Sequence, residues 1–207
     1  MTSMARPTGL DGGHDPRSGT VSDELHRLLD DGEALDLAVY DAVEHTATPA
    51  LDAPMTWISE AASNAKLWAA IAAVLALAGG RRGRRAAADG MTAIITTSVI
   101  TNLVVKPVIG RRRPAPPTAG DHGRIRMPRS RSFPSGHTAS AFAFATAVGA
   151  DLPALSFPLD ALAAAVGYSR VHLGVHYPSD VIVGAVLGSA VGTTVRAISV
   201  TLGPPAR

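Results

Sequence analysis

Apolar positions along the chain follow two different rhythms. From residue 22 to 45 they return every three or four residues, as Leu25, Leu28, Leu29, Leu35, Ala38, Val39, Ala42 and Val43 among acidic neighbours, which is the period of an amphipathic helix. A second such stretch, 51–65 with Trp57 and Ile58, follows the breaks at Pro49 and Pro54. Amphipathic helices are therefore expected over 21–65, either along a bilayer surface or packed on the rest of the chain. Their polar face is acidic, unlike that of helices drawn to anionic lipid. Beyond Lys66 the rhythm gives way to uncharged runs at 67–80, 90–105, 132–150, 152–169 (broken by Asp160) and 181–195, the last continuing past Arg196. Five such runs in 207 residues leave little soluble core to bury them in, and they predict an all-α transmembrane helical bundle over 66–203. Several fall short of the roughly 20 residues that cross a bilayer, but Lys66, Arg81, Lys106 and Arg196 at their ends can snorkel. The last run spaces Gly184, Gly188 and Gly192 by four, baring one helix face for a close neighbour, within the same chain in preference to a second copy. Residues 1–20 carry Gly, Pro, Ser, Thr and Asp without an apolar period and are expected to form a disordered tail. They lack the basic start, apolar run and small-residue cleavage site of a signal peptide.

Composition changes this picture in two places. Cysteine is absent, which removes disulfides, thiolate metal sites and thiol nucleophiles, while the abundance of Ala, Gly, Val and Leu suits closely packed helices. The net charge of +2 hides an asymmetry, with Asp and Glu crowded into 1–65 and Arg into 81–85 and 111–131. The basic stretch has no interleaved aromatic residues to stack on bases, so nucleic acid is not an expected partner. For orientation, the arginines of 81–85, read as a loop, and the larger cluster of 106–131 demand opposite cytoplasmic faces. The acidic N-terminal region, lacking a signal, favours the cytoplasm for the second.

Three segments place polar residues at the ends of apolar helices, where charge is costly and usually functional. They are Lys106 to Pro114, Pro134-Ser135-Gly136-His137, and Ser169 to Asp180. If the spans alternate direction, all three emerge on one side of the membrane. Lys106, Arg113 and Arg170 offer fixed positive charge to a phosphoryl group, and arginine forks suit its oxygens. Taken singly, each could equally be a snorkelling anchor. Ser135 and Gly136 precede a helix whose unpaired amides form an anion site; alone they would read as an ordinary cap. His176 and Asp180 are four residues apart on the first turn of a helix opened by Pro178. Asp180 can accept a hydrogen bond from one ring nitrogen and leave the other free to attack phosphorus, although a capping Asp beside a surface His is the plainer reading. His137 could protonate a departing alkoxide and later activate water. His122 and His172 have no comparable partner and are read as solvated loop residues.

The trio resembles the type 2 phosphatidic acid phosphatase superfamily. Lys106 and Arg113-Pro114 match its first block, Pro-Ser-Gly-His its second, and Ser-Arg five residues before His176, with Asp180 four after it, its third. The resemblance implies a helical bundle of five or six spans and metal-independent, cofactor-free hydrolysis of a phosphate ester or diphosphate. It implies His176 as nucleophile, His137 as acid, Asp180 as orienting partner, and phosphate contacts from Lys106, Arg113, Ser135, Gly136 and Arg170. The expected substrate is a lipid phosphate in a bacterial cell membrane, with membrane lipids as surroundings. Two further readings stay open: transfer of the phosphoryl group to an acceptor other than water, and a non-enzymatic protein binding acidic headgroups through residues 111–131. A vanadate-loaded halide oxidase would need a larger, soluble chain.

Overall fold

The computed structural model describes residues 21–46, 48–114 and 130–202. Two units are distinguished, Met1–Leu35 and Asp36–Arg207. The described part of the first is helical and belongs to α1 (Val21–His45). The expected tail at 1–20 lies outside the described residues, as do His122 and residues 115–129 of the basic stretch.

From Asp36 onward the described chain is helical and contains no strand. After α1 come α2 (Pro49–Ala62) and a 3-10 turn (Ser63–Ala65), then α3 (Lys66–Ala78) and α4 (Gly80–Val99). A π-helical turn (Ile100–Val105) leads into α5 (Lys106–Ile109). The bundle is completed by α6 (Gly136–Asp151), α7 (Ser156–His172) and α8 (Pro178–Leu202). The Leu51 stretch and the following run prove to be one kinked helical element, Pro49–Ala78, with Pro54 inside it. The kink comes from Asn64 and Ala65, both at positive φ (54° and 57°). Asn tolerates the left-handed region, whereas Ala pays roughly 1–2 kcal/mol there. A second correction concerns the arginines of 81–85. They are the first turns of α4 and not a loop, because the reversal after α3 is made by Gly79 and Gly80 alone.

Small residues decide the packing. α6 is central, against α4, α7 and α8, and Trp68 of α3 stacks on its Phe144 with ring centroids 5.2 Å apart. On α8 the glycines at 184, 188 and 192 lie against α6. A Cβ at these positions would stand 2.8 Å from the Ser135 oxygen, 2.1 Å from that of Ala139 and 2.6 Å from that of Ala143. The glycine face is thus spent inside the monomer, as expected. Among the described residues, three helical elements are long and apolar enough to cross a membrane: Pro49–Ala78, Gly80–Ile109 and Pro178–Leu202. α6 and α7, with 16 and 17 residues, rise only ~24–26 Å at 1.5 Å per residue.

Candidate active site

The three polar segments converge at one end of this bundle. α4 and its π turn deliver Lys106, α6 begins with Gly136 and His137, and α7 ends just before the loop that carries His176 into α8. A backbone bond from Ser135 N–H to Asp180 O (2.9 Å) joins the starts of α6 and α8.

His176 is almost completely buried, at 1% exposure. Its Nδ1 lies 3.3 Å from Asp180 Oδ2, and the Arg113 guanidinium donates to its Nε2 at 3.0 Å. A ring that donates from Nδ1 and accepts at Nε2 is one defined tautomer, with the Nε2 lone pair directed at a cation. Burial pulls this ring from 6.5 to about 4; the Asp180 hydrogen bond opposes the shift, and the charges of Arg113 and Arg170 reinforce it. The ring is therefore neutral at pH 7. Asp180, fully buried, receives Ser132 Oγ–H and the Tyr177 N–H (3.0 Å) on Oδ2, and Arg111 (3.1 Å) on Oδ1.

Cations surround the ring. Arg113 also donates to the Val175 carbonyl (2.7 Å) and to Ser130; burial holds its guanidinium below the ordinary range. Lys106 Nζ bonds Asn102 Oδ1 at 3.2 Å and Ser130 Oγ at 3.4 Å, and lies 3.7 Å from where a Cβ on Gly136 would be. Arg170, 2% exposed, donates to Ser59 Oγ, and its Nε has no partner among the described residues. Ser135 caps α6, its hydroxyl accepting the Thr138 N–H at 3.4 Å. His137 lies in the field of Arg170, His176, Lys106 and Arg113, and its Nε2 is 3.3 Å from Ser63 Oγ. All eight expected site residues thus gather at one end. Chemically, this end combines a buried imidazole whose Nε2 lone pair faces the Arg113 guanidinium, a second imidazole, and three cations able to neutralise an oxyanion. Among the described residues, no group of three or more His, Asp and Glu could hold a metal ion.

Several participants were not visible in the sequence. Arg111 bridges Asp180 and Asp36 (2.7 Å) and lies over the Tyr177 ring, 4.2 Å from its centroid. Burial opposes its charge, but the Asp36 hydrogen bond and the charges of Asp180 and Asp36 hold it above the ordinary arginine range. Asp36 in turn accepts the Ser179 N–H at 2.8 Å, capping α8. Ser59 and Ser63 reach the site from the N-terminal helices, for which the motifs gave no role. His172 corrects an expectation outright. It is not a solvated loop residue but the buried end of α7, with Nε2 2.8 Å from Asp52 Oδ1 of α2; a partner 120 residues away in sequence cannot be found by helical spacing.

Beside His137 opens a cavity of ≈ 260 Å³, with Lys106 and Gly136 also in its wall.

A family model described as the PAP2 superfamily matches residues 89–203. Decaprenylphosphoryl-5-phosphoribose phosphatase of Mycobacterium tuberculosis is 36% identical over 135 residues, which cover 63% of this chain and 71% of that protein. Lipid A 1-phosphatase of Rhizobium etli is 37% identical over 103 residues, covering 47% and 43%. Among solved structures, a transmembrane PAP2-type phosphatidylglycerolphosphate phosphatase from Bacillus subtilis superposes with a TM-score of 0.65 at 25% identity, over 84% of this chain and 89% of its own.

Proposed function

The chain belongs to the PAP2 superfamily, and from that premise we propose that it is an integral membrane lipid phosphate phosphatase acting through a phosphohistidine on His176. The relatives bear the names of enzymes acting on decaprenylphosphoryl-5-phosphoribose, lipid A and phosphatidylglycerolphosphate; a lipid-borne phosphate is accordingly the substrate class. The five apolar runs are the proposed spans, α6 and α7 being the short ones. The observation that carries the reading is the His176 pairing, with Nδ1 turned to Asp180 and Nε2 to Arg113.

The sequence of steps follows from that pairing. A phosphoryl group displaces the Arg113 contact and takes Lys106, Arg113, Arg170 and the amides at the start of α6 as partners for its oxygens. Nε2 attacks phosphorus in line, the bond from phosphorus to the lipid oxygen breaks, and His137 gives that oxygen its proton. Asp180 steadies the positive charge that develops on the His176 ring. In the second half His137 takes a proton from water, the new hydroxide attacks phosphorus, the P–N bond breaks and inorganic phosphate leaves.

The test is phosphate release from a panel of lipid phosphates by detergent-purified protein in excess chelator, with acid-labile phosphoenzyme trapped in parallel. Wild type should turn over and form the adduct, vanadate should inhibit, and His176→Ala should lose both adduct and activity. Wild-type activity that disappears with the divalent cations would overturn the histidine mechanism.

A further inference from the structure

Resting on the phosphatase reading, we propose that Ser63 is a positioning residue for the acid His137. By holding the Nε2–H of that ring, it makes Nδ1 the atom that gives the departing oxygen its proton. Ser63 stands at the end of α2, before residue 89, where the family match begins.

The helix that carries it presents a polar stripe. Asp52, Ser59 and Ser63 are separated by seven and four residues, a spacing that puts them on one helix face. Polar groups in an apolar bundle are costly unless paired, and all three are paired toward the site. Asp52 Oδ1 lies 2.8 Å from His172 Nε2 at the end of α7, Ser59 Oγ accepts from Arg170, and Ser63 Oγ lies 3.3 Å from His137 Nε2. The last turn of α2 therefore touches both a phosphate cation and the acid.

The direction of the Ser63 bond follows from its neighbours. A serine hydroxyl has one proton to give, and that of Ser63 goes to the Ser59 carbonyl at 3.0 Å. Toward His137 the oxygen can then only accept, so Nε2 carries the hydrogen. Nδ1 has no hydrogen-bond partner among the described residues. The choice of a hydroxyl suits the task. A carboxylate, as Asp180 is to His176, stabilises an imidazolium and would weaken the acid; a neutral hydroxyl orients the ring without doing so.

The proton then has a defined route. The negative charge of a bound phosphate offsets Arg170, Lys106 and Arg113 around the ring, and both nitrogens carry hydrogen. As the bond from phosphorus to oxygen breaks, the Nδ1 proton passes to that oxygen and the electron pair of the N–H bond stays on Nδ1, while Nε2–H remains on Ser63. In the second half Nδ1 takes a proton from water, the hydroxide attacks phosphorus, and the ring returns to its starting state.

An alkoxide needs a proton in order to leave, whereas a nitrophenolate does not. The full chain in detergent is therefore assayed for kcat/KM on a long-chain alkyl phosphate and on a nitrophenyl phosphate carrying the same alkyl chain. Ser63→Ala should lower the value for the alkyl phosphate by roughly three- to tenfold, and that for the nitrophenyl phosphate by less than about twofold. Ser63→Thr keeps the hydroxyl on extended backbone (φ −65°, ψ 140°), which a β-branched residue accepts, and should recover most of the loss. Ser59→Ala acts through Arg170 on phosphate oxygens common to both substrates and should lower both alike. Equal losses on the two substrates in Ser63→Ala, which is how a purely structural role would behave, overturn the proposal; so does the absence of any loss. His137→Ala should show the same selectivity in larger measure. Equal losses there refute His137 as the acid, and the role of Ser63 with it, whereas wild type that turns over neither substrate refutes the phosphatase reading itself.

Discussion

At the scale of single residues, the proposed catalytic end is a set of shared hydrogen bonds converging on one carboxylate. Spacing and charge alone fitted a capping Asp beside a surface His and a snorkelling arginine equally well; His176, Asp180 and Arg113 were legible through the match of their segments to the family's motif blocks. Arg111 was not. Three consecutive arginines look alike in a sequence, and which of them turns inward is decided by the left-handed turn at Gly110 (φ 66°) and by Asp36, 75 residues away. Replacing Arg111 with Met, or Asp36 with Asn, removes a charge-assisted hydrogen bond of the kind that contributes about 1.5–3 kcal/mol. The expected result is a 10- to 100-fold lower kcat with KM little changed, and Arg111→Lys should recover part of the loss. An unchanged kcat in Arg111→Met would show that Asp180 needs no such partner. The lowered His176 value makes a second prediction. With His176 as the proposed nucleophile, a proton on Nε2 removes the attacking lone pair, so activity should be lost as pH falls through the folded-state value of about 4 and be intact at neutrality. Titration of labelled histidine by NMR should place this ring well below 6.5; a midpoint at 6.5 would mean that the site is solvated.

Among the elements, the interface of α6 with α8 was signalled in part: three glycines at a spacing of four announced a close neighbour within the chain, and the structure supplies α6 as that neighbour. Gly188→Ala puts a methyl carbon 2.1 Å from a carbonyl oxygen of α6, a contact that only backbone movement relieves. It should destabilise the folded protein by ~1–3 kcal/mol, read as a lower melting temperature in detergent, and should reduce activity because His137 and Asp180 ride on the two helices concerned. Gly32→Ala, where nothing lies within 4 Å of the added carbon, is the control and should not lower it. Helix limits were less legible. A run of charge such as Arg81 to Arg85 looks like a connection, but the chain needs only Gly79 and Gly80 to reverse, and the arginines then continue α4. Pro54 was read as a break for the same reason: local signals weigh one residue, while the helix is held by the apolar face around it.

For the molecule as a whole, the all-helical class follows from the five apolar runs, while the length of each helix does not. The reason is that α6 has neighbours on α4, α7 and α8 and has less need of a lipid-matched length than a peripheral helix. α7, with Phe157 83% exposed, has 17 residues and rises ~25 Å, short of the ~30 Å hydrocarbon core of an average bilayer. With α7 as one of the proposed spans, specific activity should be higher in vesicles of short-chain lipid than in those of long-chain lipid, where burying the ends of α7 would force the bilayer to thin; equal rates across the series would count against α7 as a span. The cavity beside His137 has a last consequence. Lys106, Gly136 and His137 come from the stretch shared with the family, while Ala62, Asn64 and Ala65 come from before residue 89, where that match begins. The wall of this one cavity is thus drawn from two parts of the chain, one inside the family match and one before it, so a change in the 3-10 turn reshapes the space beside His137 without touching the matched stretch.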